Sequence, residues 1–252
     1  MLSLSKHKNM FGSCLMFNRA AGFLLGLVFP ASCRICKSAL HGGRFFCPDC
    51  NDKIKPVGDN VCTVCGRPFI AESGPHACYS CIERRPPYTA ARAGLIYEGV
   101  AREAIHLYKY RHVRALKDRL GEYAADGAAR WFPDAEIACA VPLHKKRFRE
   151  RGFNQSLFLA KSASDALRIP LSVDGLVRTR YTRPQVDLGP SERAANVKGA
   201  FAVVSGEFEG RAVLLVDDVF TTGATVSECA RVLNKAGAAK VYVLTVARVG
   251  RE

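Results

Sequence analysis

The stretch from Val213 to Thr225, Val-Leu-Leu-Val-Asp-Asp-Val-Phe-Thr-Thr-Gly-Ala-Thr, limits what this chain can fold into more than any other. Its leading apolar run, Val213 to Val216, is too short for a helix and predicts a buried strand. Two adjacent carboxylates, Asp217 and Asp218, follow at its carboxyl end. Thr221, Thr222, Gly223, Ala224 and Thr225 then turn the chain into a helix. That helix sets Val226, Cys229, Ala230 and Leu233 on one face, and Gly237 suits its C-terminal cap. A strand, a small-residue loop and a helix N-terminus together make an anion site, because unpaired N–H groups and the helix dipole face the loop. Carboxylates would repel a phosphate, so the acidic pair must serve differently, by accepting hydrogen bonds from neighbouring hydroxyls, as on a ribose. The implied ligand carries a sugar diol at one end and a phosphate at the other.

This run resembles the phosphoribosyl-diphosphate (PRPP) motif of type I phosphoribosyltransferases, with no departure from its pattern. The resemblance implies that Asp217 and Asp218 are the catalytic residues. Two like charges side by side repel, so replacing both by Asn is expected to leave the ligand-free chain no less stable.

Cysteine spacing is the second constraint. Of the 11 cysteines, Cys14, Cys139 and Cys229 stand alone. The rest form Cys-x-x-Cys pairs: Cys33–Cys36, Cys47–Cys50, Cys62–Cys65 and Cys78–Cys81. Each pair sets its thiolates on one side of a knuckle, and the intervening residues allow a hairpin back. This is zinc-ribbon spacing for two closed, structural zinc sites of four thiolates each. We choose sequential pairing, while an interleaved arrangement satisfies the same counts. No Cys-x-x-Cys-x-x-Cys run favours an iron–sulfur cluster. Metal-type cysteines point to a reducing, cytoplasmic compartment. Residues 33–81 hold too little apolar content for a core, so zinc must replace one, and chelation is expected to melt them while sparing the α/β domain.

Before the cysteines, Lys6, Lys8 and Arg19 precede an apolar run from Ala20 to Phe29. That run is too short to span a bilayer, so no stable membrane insertion is expected. We divide the chain into a leader over 1–28 (a short helix or disordered, with Met10 or Met16 as the alternative start), a double zinc ribbon over 29–83, and an α/β domain over 88–252. Strands are expected at Ala90–Tyr97, Glu136–Val141, Leu171–Val177, Ala200–Val204 and Lys240–Ala247, with helices between. The alternation argues a parallel sheet with its ligand crevice beyond the carboxyl ends of the strands.

The net charge of +14, from 37 Lys and Arg against 23 Asp and Glu, favours polyanionic partners. Tyr108, Lys109, Tyr110, Arg111, His112 and Arg114, extended by Lys117 and Arg119, read either as a solvated helix face or as a phosphate-backbone surface with tyrosines to stack on bases. After the strand near Val141, the cations from Lys145 to Arg151 could cradle a diphosphate, and the helix beyond is expected to bury Phe153, Leu157, Ala160 and Leu167. His144 reads first as a hydrogen-bonding loop residue and second as an acid or base. Residues 179–197 lack periodicity and read as a functional loop, a lid over the ligand.

In order, the chain thus carries the cysteine pairs, Lys109-Tyr110-Arg111, Val141-Pro142-Leu143-His144, Arg149-x-Arg151-Gly152-Phe153-Asn154-Gln155, Gln185…Leu188…Arg193-x-x-Asn196-Val197, and the PRPP motif. From about Phe29 to Val246 it resembles the ComF family of competence proteins: a double zinc ribbon followed by a parallel twisted sheet of the type I phosphoribosyltransferase kind. The resemblance implies that Asp217 and Asp218 hold the ribose hydroxyls and that Thr221 to Thr225, including Thr222, Gly223 and Ala224, hold the 5-phosphate. Leu143, His144, Lys145, Lys146 and Arg147 would form the diphosphate loop, Gln185 to Asn196 a mobile hood. It also implies PRPP with magnesium, single-stranded DNA and other competence proteins as partners, in natural transformation. The two readings are a DNA-binding module that keeps a PRPP site, and an active phosphoribosyltransferase that releases diphosphate. No base-recognition segment is apparent near the C-terminus, and the charge favours the module.

Overall fold

The computed structural model describes residues 32–40, 45–70, 74–110, 116–183 and 189–250. The leader, Cys14, Arg111, His112, Arg114 and the Gln185–Leu188 part of the hood lie outside these residues. The chain divides by compactness into two units, 1–51 and 52–252, a boundary that falls inside the span read from sequence as one ribbon module.

The described part of the first unit is a cysteine knuckle. Cys33 N–H donates to the Ser38 carbonyl at 2.8 Å, and helix α1 (Pro48–Asp52) carries the second cysteine pair.

The second unit holds, in chain order, α2 (Tyr79–Glu83), β1 (Ala90–Ile96), α3 (Gly99–Tyr110), α4 (Leu116–Trp131), β2 (Ile137–Ala140), α5 (Lys145–Arg151), α6 (Gln155–Leu167), β3 (Leu171–Ser172), β4 (Leu176–Arg178), α7 (Pro190–Val197), β5 (Phe201–Val203), β6 (Ala212–Phe220), α8 (Ala224–Lys235) and β7 (Lys240–Arg248). Five strands pair in parallel in the order β1-β7-β6-β2-β3. From β2 the chain passes outward to β3 and later returns to β6 on the other side of β2. The strand order therefore reverses between β2 and β6, where open α/β sheets form their ligand crevice.

Alternation along β6 and β7 divides the core. Val213, Leu215, Val241 and Val243 pack with Val226, Cys229, Ala230 and Leu233 of α8, the stripe expected from sequence. Leu214 and Leu244 face the opposite way, toward α4, where Gly127 lies so close that a Cβ would sit 3.0 Å from Leu244 Cδ1. Among the described residues, no helix is long and apolar enough to cross a membrane.

Several elements differ from the sequence reading. β6 runs on through the acidic pair to Phe220, because β7 continues alongside and pairs Asp217 with Thr245 and Phe220 with Arg248. The single strand expected at 171–177 is two. Ser172 Oγ accepts from Gly175 N–H and closes a turn, after which β4 pairs antiparallel with β5 in a separate small sheet. Residues 179–197 contain α7, started by Pro190 in its first turn and by Glu192, whose carboxylate accepts from Gly189 N–H at 2.8 Å. The basic run after β2 is a helix of its own, α5, ended by Gly152 at φ 72°. Asn154 caps α6, which buries Leu159, Ala160 and Ala163, while Leu157 and Leu167 are half-buried.

The second cysteine quartet is not a separate module. Cys62, Cys65, Cys78 and Cys81 are buried in the same cluster as Val213, Leu215 and Phe220. Its backbone is joined to the sheet: Ala91 N–H donates to the Val64 carbonyl at 2.7 Å, and Arg248 Nη1 donates to the Cys65 carbonyl at 2.6 Å.

Candidate functional site

The carboxyl ends of β2 and β6 open on one cavity of about 690 Å³. Asp217, Asp218, Thr221, Gly223, Ala224 and Thr225 line one side, and Leu143, Arg147 and Arg151 another. Arg178 comes from the end of β4, Arg183 and Arg193 from the segment read as a lid, and Lys109 from α3. The charge at this cavity is thus a carboxylate pair facing a larger number of cations, which suits a ligand with more than one phosphate.

Gly223 makes the loop possible. It caps α8 at φ 78°, and a Cβ there would sit 2.6 Å from Phe220 Cζ. Any side chain would meet both the left-handed backbone and the ring beneath. Thr222 Oγ1 accepts from Ala224 N–H at 3.4 Å, which holds the loop but leaves Thr222 out of the cavity lining.

The two carboxylates have different environments. Asp217 Oδ1 accepts from Ser156 Oγ at 2.8 Å and from Asp218 N–H at 2.9 Å. Asp218 Oδ1 lies 2.8 Å from Lys109 Nζ, with both side chains largely covered. Burial first, then the Asp218 charge, pushes the Asp217 carboxyl up to about 7, against the opposing pull of Lys109 and the hydrogen bonds. Burial works against the Lys109 charge, yet the Asp218 carboxylate raises its pKa overall.

A pH dependence follows. An unfolded chain ionises an aspartate near 4, whereas here the native state keeps the Asp217 proton to about 7. Between these values the native state binds more protons, so the Asp217 contribution to stability falls as pH rises from about 4 to 7. Asp217→Asn, whose amide oxygen still accepts from Ser156, should remove that loss and raise stability at pH 8 by roughly 2 kcal/mol. Equal chemical-denaturation midpoints of variant and parent at pH 8 would contradict this.

The diphosphate loop inferred from resemblance is only partly assembled. Leu143 and Arg147 face the cavity, while His144, Lys145 and Lys146 are outside its lining. His144 Nδ1 accepts from Lys146 N–H and caps α5, in keeping with the hydrogen-bonding reading. Its ring meets Tyr181 edge-on at 5.3 Å, and Lys146 Nζ sits 4.9 Å from the centre of the same Tyr181 ring. In the hood, Asn196 Oδ1 accepts from Arg183 N–H and Asn196 Nδ2 donates to the Arg183 carbonyl. Those bonds tie Arg183 to α7, which also carries Arg193.

Sequence reasoning missed Ser156, Arg178 and Arg183, and read Lys109 as part of either a solvated helix face or a DNA-facing surface. Only the need of a buried acidic pair for a counter-ion hints at Lys109. Its partner stands over a hundred residues away, so no spacing shows it. Arg178 carries a second hint: its Nε is buried with no partner among the described residues.

The cysteines pair sequentially. In each quartet, Cys33–Cys36–Cys47–Cys50 and Cys62–Cys65–Cys78–Cys81, the sulfurs lie within 4.8 Å of one another. A tetrahedral zinc with 2.3 Å bonds needs sulfurs about 3.8 Å apart, and Cys65 and Cys78 lie 3.8 Å apart. Cys62 Sγ also accepts from the N–H groups of Cys65 and Cys78, which stabilises a thiolate. Both quartets fit structural zinc. Carboxylates form no comparable cage among the described residues.

Comparison with known proteins agrees with this arrangement. Residues 24–82 match the double zinc ribbon domain, and residues 154–252 the phosphoribosyl transferase domain. Over 230 residues, 88% of this chain and 99% of the other, the chain is 30% identical to the DNA utilization protein YhgH of Escherichia coli (strain K12). It is 31% identical over 232 residues to competence protein F of Haemophilus influenzae, covering 87% of this chain and 98% of that protein. Against competence protein ComFC of Bacillus subtilis it is 28% identical over 213 residues, covering 80% and 83%. With such relatives along nearly its whole length, and with both halves of the architecture in place, the chain belongs to the ComF family.

Proposed function

We propose that the cavity binds PRPP and that the chain is a cytoplasmic protein that handles single-stranded DNA in natural transformation. One observation carries the first part: an acidic pair and a helix-N-terminal loop at one side of a cavity whose other walls hold Arg147, Arg178, Arg183 and Arg193. The loop N–H groups and Thr221 and Thr225 would take the 5-phosphate, Asp217 and Asp218 the ribose hydroxyls, and the arginines the diphosphate. Magnesium would enter on the diphosphate and offset its charge. The second part rests on the names of the relatives, on the net charge of +14, and on exposed Lys145, Lys146 and Arg149 of α5.

Mg·PRPP at a hundredfold excess over its dissociation constant should stabilise the protein by roughly 2.7 kcal/mol, a rise of about 5–10 °C in melting midpoint. Ribose 5-phosphate alone should do less. No shift with Mg·PRPP would remove this reading.

The arginines also favour a second reading, an active transferase, since they would stabilise a departing diphosphate while an acceptor attacks C1. Diphosphate release from PRPP, measured with nucleobases and with single-stranded DNA as acceptors, separates the two.

A further inference from the structure

A second hollow, of about 370 Å³, lies where α3, α4 and α6 meet. Its wall is aromatic. Tyr108 and Phe153 stand 5.6 Å apart between ring centres, and Phe153 and Phe158 5.9 Å apart. Tyr108 and Phe153 are buried, but Phe158 is 36% exposed at the mouth. Lys117 Nζ lies over the Phe158 ring, 4.8 Å from its centre. The Phe158 ring thus keeps part of its surface in water with an ammonium on its face.

The setting narrows the ligand. Gly152, which ends the basic helix α5, lines the hollow, and Lys145, Lys146 and Arg149 of that helix are exposed. Phe148 on the same helix is 48% exposed. Cations beside exposed aromatic faces match a backbone of phosphates with unpaired bases, because each base offers a flat π-face and each phosphate a charge. Asp118 at the rim repels a bare phosphate and so disfavours a free anion in the hollow. Duplex DNA, with its bases stacked internally, has no face to offer.

We propose that this hollow receives one unpaired nucleobase of single-stranded DNA, stacked on Phe158, with the Lys117 ammonium passing from the ring to the adjoining phosphate. The proposal rests on the DNA-handling half of the proposed function and assigns it a site separate from the acidic-pair cavity.

The test compares a twelve-residue oligothymidylate with an abasic strand carrying the same phosphates. The full-length protein should bind the oligothymidylate at least about fivefold more tightly, and the preference should fall toward one in Phe158→Leu, which keeps apolar volume without a π-face. Phe158→Trp, in a Trp131→Phe background, should restore the preference, with its emission quenched on binding. The salt slope should be the same in parent and Phe158→Leu, because no phosphate contact is removed. If the parent binds both strands equally, the DNA reading stands and the hollow does not take a base. A preference that survives Phe158→Leu places stacking elsewhere and also overturns the proposal. If neither strand binds, both the DNA reading and this site fall together.

Discussion

Stripping metal from the reduced protein should lower the unfolding midpoint of the α/β unit itself, by roughly 5–15 °C. The sequence reading expects chelation to melt residues 33–81 and spare the rest. The structure reverses that for the second quartet. Cys62, Cys65, Cys78 and Cys81 sit in the core that covers β6 and β7. The ribbon backbone is bonded to the sheet through Ala91, Arg92 and Arg248. At Gly66, with φ 69°, a Cβ would come 2.4 Å from the Ala91 carbonyl oxygen. Without metal, four buried sulfurs lose the ion that would hold them together, in a cluster that cannot open locally without exposing Val64, Tyr88 and Phe220. Structural zinc is worth about 10–16 kcal/mol in isolated fingers, so even a quarter of that is about 2.5–4 kcal/mol, and each kcal/mol moves the midpoint of a chain this size by about 2–4 °C. The one tryptophan, Trp131, ends α4 in this unit, so its fluorescence reports the transition. Cys65→Ser should reproduce the loss, whereas Cys33→Ser, in the first unit, should leave the Trp131 transition in place. A Trp131 transition untouched by chelation would show that the ribbon is dispensable to the fold.

Asp218→Asn should destabilise the ligand-free protein by on the order of 3 kcal/mol, because it leaves the Lys109 ammonium covered and unpaired. This corrects the expectation that removing both charges costs nothing. Repulsion between the carboxylates is real, as the raised Asp217 pKa indicates, but Lys109 sits 2.8 Å from Asp218 and already compensates it. Lys109→Met should be damaging alone and far less so together with Asp218→Asn, since the pair then leaves together. Asp217→Asn with Asp218→Asn should also abolish most of the stabilisation by Mg·PRPP, the amides having lost the charge that strengthens hydroxyl donation. Thr221→Val should weaken binding less, as the backbone donors stay. A double variant that keeps the full ligand shift would remove the sugar-binding role from these carboxylates. Additive effects of Lys109→Met and Asp218→Asn would mean the ion pair contributes nothing.

Local patterns made much of this protein legible. The strand–acidic pair–loop–helix run from Val213 to Thr225 needs neighbours in sequence only, and its periods of apolar residues and its glycine carry their meaning within a few positions. The cysteine spacings are equally local, and the structure completes each quartet from the pairs nearest in sequence. Other features were local but missed: Pro190 and Glu192 start α7 inside a segment that lacks an apolar stripe, and Ser172 and Gly175 break a strand that hydrophobicity alone continues.

What tertiary structure alone decided is who faces whom. Lys109 looks like one cation in a basic cluster until the fold carries the last turn of α3 to the carboxyl end of β6 and gives it Asp218. Arg178, Arg183 and Arg193 become a wall of the cavity only because β4 and the segment that follows it reach the switch point of the sheet, while Lys145 and Lys146, two residues of the expected diphosphate loop, lie on α5 outside the cavity lining. The second ribbon reads as a self-contained metal knuckle because its own residues are too few and too polar for a core; the apolar partners that bury it come from β6, β7 and α8, up to some 180 positions later, as the bond from Arg248 to Cys65 records. Side-chain type and spacing specify local conformation and the chemistry a residue can offer, but a charge, a ring or a thiol acquires its partner and its burial from long-range packing, which no local pattern encodes.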